Sequence, residues 1–63
     1  MASLSKANHT ATMVAYLSGM RTYLVRNQRG DVTVWHGGKK KQFSTNQGAA
    51  MYLDRLYKAY KAM

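Results

Sequence analysis

The stretch that decides the fold is residues 20–44, MRTYLVRNQRGDVTVWHGGKKKQFS. It alternates apolar and polar side chains and is interrupted at Arg29-Gly30 and at Gly37-Gly38. Alternation with a period of two is typical of β-strands, and glycine supplies the backbone conformations that tight hairpin turns require. The stretch therefore predicts an antiparallel meander of three strands. It is strongly basic, because it holds six of the ten Lys and Arg residues.

The lengths of the two turns fix which side chains share a face of the sheet. With two-residue turns at both glycine sites, Val25 lies opposite Val34, and Trp35 lies between Leu24 and Lys40. A loop one residue longer at the second turn would move the last strand to the other face. The predicted buried face consists of Tyr23, Val25, Val32, Val34 and Phe43. The predicted exposed face consists of Arg26, Thr33, Trp35, Lys40 and Gln42.

Residues 45–63 predict an amphipathic helix. Ser44 as N-cap, with Gln47 three residues later, fits a capping box, and no proline interrupts the run. An apolar stripe at helical spacing must cover another apolar surface, and the buried sheet face is the one available. The stripe consists of Ala49, Leu53, Leu56, Tyr57 and Tyr60.

The N-terminal part of the chain has a weaker pattern. Residues 1–9 are small and polar, and they predict a flexible arm in front of a single domain of residues 10–63. Residues 10–17, TATMVAYL, fit both alternation and helical spacing; their β-branched side chains favour a strand, with a short helix as the alternative. The predicted fold class is α+β: an antiparallel meander of three strands, or four if residues 10–17 are extended, packed on one C-terminal α-helix.

The charge balance indicates a polyanionic partner. Ten Lys and Arg residues against two acidic residues give a formal net charge of +8 and a pI near 10.2. Nucleic acid, an acidic protein and an anionic membrane surface are the partners that such a charge attracts. No apolar run approaches the roughly 20 residues that span a bilayer, and no secretory signal pattern is present. We expect a cytoplasmic, nucleoid-associated protein without a membrane partner.

Several kinds of chemistry have no residues to support them in this sequence. At 63 residues, a chain has no room for a deep catalytic pocket beside its core. Cysteine is absent and the two histidines lie far apart, so no metal site is predicted. No nucleophile, base and orienting group can be assembled, and no glycine-rich loop has phosphate-loop spacing. We predict neither an enzyme nor a cofactor.

Duplex DNA is the partner that the exposed sheet face favours. A cationic ribbon of strands has roughly the size to enter a major groove, and lysines beside a glycine turn can contact phosphates. These residues could instead have ordinary structural roles: solvated strand and turn charges, edge lysines that prevent aggregation, and a tryptophan in the core. The predicted DNA-binding residues are Arg21, Arg26, Arg29, Thr33, Trp35, Lys39, Lys40, Lys41 and Gln42.

Two other classes of function use the same features. Stacking of Trp35 and tyrosine side chains on unpaired bases is typical of an RNA-binding module. A phage-type host-takeover inhibitor or adaptor would instead place its charge against an acidic protein. The tyrosine and methionine side chains of the C-terminal helix provide a candidate contact surface for a partner or a homodimer, with core packing as the alternative.

The second half of the chain also shows a resemblance to known families. Residues 33–60, TVWHGGKKKQFSTNQGAAMYLDRLYKAY, contain basic residues, an aromatic, a small polar cap and an alanine pair, in the runs Lys41-Gln42-Phe43-Ser44-Thr45 and Gly48-Ala49-Ala50. This order resembles the ethylene-response-factor type DNA-binding domain of plants and is similar to the arm-binding amino-terminal domain of phage tyrosine recombinases.

The resemblance spans residues 23–60 and implies a specific mode of binding. The exposed sheet face would lie in the major groove and read bases through Arg and Trp side chains, in an accessory role in transcription or recombination. The chain departs from the pattern because its predicted exposed face holds one arginine, Arg26, and because the acidic residues that usually open the helix are missing. Weak or shape-based specificity is the expected consequence.

Overall fold

A computed structural model describes residues 4–63 of the chain. The elements are α1 (Leu4–Ser18), β1 (Thr22–Arg26), β2 (Val32–His36), β3 (Lys39–Phe43) and α2 (Asn46–Lys61). The strands form one antiparallel sheet in the order β1-β2-β3, and both helices pack on the same face of it. The predicted α+β class, with its three-stranded meander and C-terminal helix, is confirmed. No helix within residues 4–63 is long and apolar enough to span a membrane.

Helix α1 corrects the reading of the N-terminal segment. Residues 10–17 are helical, so the predicted fourth strand is wrong, and residues 4–9 form the first turns of α1 rather than a flexible arm. Residues 1–3 of that predicted arm lie outside the described residues. The hydroxyl of Thr10 donates to the Lys6 carbonyl oxygen at 3.1 Å, a bond that the helical backbone provides. Burial of a small-residue stripe outweighs the β-propensity of the segment.

The core lies between the helical layer and the sheet. Ala7 and Ala11 of α1 and Ala49 of α2 are buried together, and such small side chains allow two helices to approach closely. Val32 and Val34 of β2 are buried beneath them. The predicted stripe of α2 is confirmed as its inward face: Ala49 and Leu53 are buried, and Leu56, Tyr57 and Tyr60 are partly buried.

Helix α2 begins one residue later than the predicted capping box requires. Thr45 is the N-cap, with extended backbone angles of φ −134° and ψ 155°, and its Oγ1 accepts a hydrogen bond from the Gly48 N–H at 3.0 Å. Gly48 therefore occupies the third helical position, and the predicted pairing of Ser44 with Gln47 is wrong. The Thr45 hydroxyl caps the helix although Gly48, at the third position, has no side chain that could bond back to the Thr45 N–H.

The first hairpin loop is one residue longer than predicted. The Asn27 N–H donates to the Asp31 carbonyl oxygen at 2.9 Å, and the Gly30 N–H donates to the Asn27 carbonyl oxygen at 3.0 Å. This closes a three-residue loop of residues 28–30, with Gly30 at a φ of 97°. A two-residue primed turn of type I′ would also place Arg29 at positive φ, which disfavours it for a residue with a Cβ.

The second hairpin has the predicted two-residue turn. Gly37 and Gly38 adopt φ values of 60° and 84°, as a primed turn requires of its two central residues. The predicted pairing of Trp35 with Lys40 is confirmed, and so is that of Val34 with Lys41. Strand β3 therefore has its predicted faces relative to β2.

His36 links the end of the sheet to α2. The Thr22 hydroxyl donates to the Met20 carbonyl oxygen at 3.0 Å, which leaves its oxygen to accept from His36 Nδ1–H at 2.7 Å. His36 Nε2 forms a hydrogen bond with the Tyr60 hydroxyl at 2.9 Å. Both ring nitrogens are thus engaged, and His36 connects β1, β2 and α2.

Replacing the cap of α2 tests the observed start of this helix. We expect Thr45→Ala to lower the free energy of unfolding by about 1 kcal/mol, since the Gly48 N–H loses its acceptor. Ser44→Ala is the matched control, with an expected effect within about 0.5 kcal/mol. Urea denaturation followed by circular dichroism measures both. A larger loss for Ser44→Ala than for Thr45→Ala would contradict the observed cap.

Candidate nucleic-acid interface

The sheet has one face that no helix covers, here called the outer face. The alternation of side chains along the three strands assigns its members. Four of the predicted DNA-binding residues lie on it: Thr33, Trp35, Lys40 and Gln42. Two further residues complete it: Tyr23 and Val25.

The position of Tyr23 and Val25 is a correction, because both were predicted to face the core. They are 40% and 41% exposed. The longer first loop shifts β1 by one residue, so Leu24 pairs with Val34 and turns toward the core instead. A shift of one residue in a strand exchanges its two faces completely. Arg26 is moved off the outer face by the same shift; it is exposed and lies opposite Val32.

Aromatic rings and cations form a row across the outer face. The Tyr23 and Trp35 rings stack, with centroids 6.0 Å apart and planes at 12°. The Arg21 guanidinium lies over the Tyr23 ring at 5.6 Å, and Lys40 Nζ lies over the Trp35 ring at 5.9 Å. We call Arg21, Tyr23, Trp35 and Lys40 the cation–aromatic row. The pairing of Tyr23 with Trp35 and of Trp35 with Lys40 aligns three of its members across β1, β2 and β3.

The row holds two positive charges at defined positions above the sheet. Cations are attracted to the faces of aromatic rings by about 0.5–1 kcal/mol at exposed sites, which restrains long flexible side chains. Trp35 is partly buried by its neighbours and still belongs to the open side of the sheet. The prediction placed Trp35, Arg21 and Lys40 at the site and missed Tyr23.

A second row of side chains crosses the outer face and consists of Val25, Thr33 and Gln42. It is less accessible than the cation–aromatic row. Thr33 is 6% exposed, because it lies between Val25 and Gln42 and its hydroxyl accepts from Asn27 Nδ2 at 3.2 Å. Gln42 is exposed at the edge strand. Of this row, Val25 and Gln42 can meet a ligand, whereas Thr33 holds the loop closed.

The three consecutive lysines do not form one cluster. Strand alternation separates Lys40 on the outer face from Lys39 and Lys41 on the opposite face of β3. Lys41 Nζ lies 4.9 Å from the centre of the Tyr52 ring of α2, so part of this charge is associated with the helical layer. Arg29 is exposed in the first hairpin loop.

Neither of the two acidic residues belongs to β1, β2 or β3, and Asp31 lines a depression with Arg29 and Gln42 at the loop end of the outer face. Asp54 belongs to α2 and forms an exposed ion pair with Lys58 at 3.6 Å. Asp31 closes the first hairpin loop, and its buried Oδ1 has no hydrogen-bond partner within residues 4–63. Because side chains of β1, β2 and β3 supply the outer face, its charge is positive.

No protein-family model, curated protein sequence or solved structure matches this chain. Within residues 4–63, no three His, Cys, Asp or Glu side chains come together in a way that could hold a metal ion.

A double-mutant cycle tests the stacking at the centre of the row. We expect Tyr23→Ala and Trp35→Ala to be non-additive in the free energy of unfolding by about 0.5–1.5 kcal/mol, since either change removes the same aromatic pair. Urea denaturation of the two single variants and the double variant measures the coupling. The control cycle combines Trp35→Ala with Met51→Ala, a substitution on the exposed surface of α2, and the two effects on the free energy of unfolding should be additive. Additivity in both cycles would contradict the stacking.

Proposed function

We propose that the protein binds duplex DNA, with the outer face of the sheet against the major groove. The observation that supports this most directly is the cation–aromatic row on a face that the helices leave open. Three strands spaced about 4.8 Å apart give a sheet about 10 Å wide, and the major groove is about 12 Å wide. The sheet therefore fits the groove by size.

The cations are suited to contacting phosphates on both sides of such a groove. Arg21 precedes β1, and Lys40 belongs to β3, so the two charges of the row lie toward opposite edges of the sheet. Arg29 in the first loop and the exposed Lys39 and Lys41 add charge at the periphery. Contacts of this kind supply affinity that does not depend on sequence and that falls with salt.

Few side chains on the outer face are able to read bases. The Gln42 amide can pair with adenine, and the Val25 methyl groups can contact thymine. Thr33 is buried, which leaves its hydroxyl little access to a base. Weak sequence specificity follows from this small set.

The geometry of the row favours duplex DNA over unpaired bases. Trp35 lies between Tyr23 and Lys40 in the strand register, and it contacts the ring of one and the ammonium group of the other. A base could stack on Trp35 only after displacing one of these neighbours. Single-strand and RNA-binding surfaces instead present free aromatic faces.

The family resemblance supports the same proposal. Recombinase arm-binding and ethylene-response-factor type domains imply a sheet in the major groove, and the outer face supplies Trp35, Lys40 and Gln42 for such a contact. Helix α1 is an element that the resemblance did not include. An accessory role in transcription or recombination, in a phage or in a nucleoid, is part of the proposal.

Two variants with equal charge changes test which surface binds. We expect Arg21→Ala/Lys40→Ala to weaken binding to a labelled duplex by about tenfold or more in fluorescence anisotropy. The slope of the logarithm of affinity against the logarithm of salt concentration should fall by about 2, since each lost phosphate contact removes about one unit.

The control variant is Arg55→Ala/Lys61→Ala, which removes one Arg and one Lys from exposed positions of α2. It should weaken binding by less than about threefold and leave the salt slope close to that of the unaltered protein. Equal losses in the two variants would show that charge, rather than the outer face, determines binding. Binding that does not depend on salt would overturn the proposal.

A further inference from the structure

The two edges of the sheet differ in chemistry. The edge strand β3 carries Lys39, Lys40 and Lys41, and lysines on an edge strand discourage pairing with another chain. The edge strand β1 reads TYLVR, with no charge before Arg26. Proline, lysine and bulges, which protect sheet edges in native proteins, are absent from β1.

Three residues of β1, an edge strand that packs against α1, have backbone groups that point away from β2. The Gly37 N–H donates to the Arg21 carbonyl oxygen at 3.0 Å, and the Asn27 N–H bonds to Asp31. Hydrogen-bonded and non-hydrogen-bonded pairs alternate along an antiparallel ladder. The directions of the peptide groups between Arg21 and Asn27 are therefore determined. The peptide groups of Thr22, Leu24 and Arg26 point away from β2. No other strand within residues 4–63 pairs with them.

Exposed apolar side chains are concentrated beside this edge. Seven large hydrophobic side chains of the described chain are exposed, and five of them belong to residues 16–25. These are Tyr16, Leu17, Met20, Tyr23 and Val25. The C-terminal helix, predicted as a candidate dimer contact, contributes Met51 to this set. Most of the exposed large apolar side chains therefore belong to the end of α1, to β1 and to the turn between them.

We propose that β1 pairs antiparallel with β1 of a second copy of the chain, about a two-fold axis at Leu24. In this register Leu24 lies opposite Leu24 of the second copy, and Thr22 lies opposite Arg26. These are the residues whose peptide groups point outward, so each such pair exchanges two backbone hydrogen bonds. Tyr23 then lies opposite Val25 of the second copy.

Charge and side-chain pairing select a second copy paired through this edge. Aromatic and β-branched side chains opposite each other stabilise an antiparallel pair, and Tyr23 opposite Val25 occurs twice in this register. Arg26 lies opposite Thr22 of the second copy, so no cation lies opposite another cation. A two-fold pairing of β3 centred on Lys40 would place Lys40 opposite Lys40, which is destabilising. A two-fold contact also closes on itself and leaves both outward edges guarded by lysine.

The pairing has a consequence for DNA, and this part rests on the proposed function. Two joined sheets contain six strands and span about 24 Å, twice the roughly 12 Å of the major groove. The paired form therefore cannot enter the groove as the single sheet does. Self-association and groove binding exclude each other, and duplex DNA dissociates the dimer.

Sedimentation velocity without DNA tests the pairing independently of the proposed function. The protein should form dimers several-fold more tightly at about 1 M than at about 0.1 M salt, because screening shortens the Debye length from about 10 Å to about 3 Å and weakens the repulsion between two chains of charge +8. Val25→Lys should remain monomeric, since it places a lysine on the pairing edge. Met51→Lys adds the same charge on α2 and should dimerise like the unaltered protein.

Amide hydrogen exchange of the unaltered protein provides a readout that requires no variant. The Leu24 amide should exchange rapidly in dilute solution and slowly at high concentration, whereas the Val25 amide, which bonds to β2, should be protected in both. Concentration-independent exchange at Leu24, a monomer at both salt concentrations, or loss of dimers in both lysine variants would overturn the pairing. A protein that dimerises but binds no duplex even at concentrations where it is monomeric would overturn the proposed function and leave the pairing intact.

Discussion

The positive φ of Gly30 is the constraint on which the rest of the sheet depends. A residue with a Cβ does not adopt this conformation readily, and the neighbouring Arg29 does not adopt it. The loop therefore takes three residues, and the pairing of Arg26 with Val32 follows. Leu24 faces the helices, and Tyr23 joins Trp35 on the outer face. One glycine thus determines both the core contribution of β1 and the composition of the candidate interface.

The second determinant is that both helices pack on one side of the sheet. Buried alanines on α1 and α2 let the helices lie close together over β2, and the bonds of His36 to Thr22 and Tyr60 hold α2 against the strand ends. A small chain has too little apolar surface to cover a sheet twice. The outer face remains open to solvent, and the charge of the meander is displayed there.

The sequence predicts much of this fold for identifiable reasons. A Gly-Gly pair specifies a two-residue turn because both positions accept positive φ, so β2 and β3 were placed in the correct register. The stripe of α2 is strong enough to predict its inward face. Helix α1 was missed because its buried side chains are mostly alanine, which contributes little to a periodic hydrophobic pattern. The helical form depends on burial against α2 and β1, a tertiary effect that a local pattern does not contain.

The candidate site was predicted with the same mixture of success and error. Trp35, Lys40 and Gln42 lie on strands whose register the glycine pair fixed, and they reach the outer face as expected. Tyr23 and Arg26 lie on β1, where an error of one residue in the loop exchanged their faces. The signal that could have corrected them was the single glycine of Arg29-Gly30. A lone glycine favours the three-residue loop, in which one position has positive φ.

The most direct test of the central claim is a map of nuclear magnetic resonance shifts on adding duplex DNA to the folded protein. We expect shifts of the Trp35 indole N–H, the Gln42 side-chain amide and the Val25 methyl groups, with Leu53 in the core and the outer surface of α2 unchanged. Shifts confined to residues 51–63, with the outer face unaffected, would contradict it.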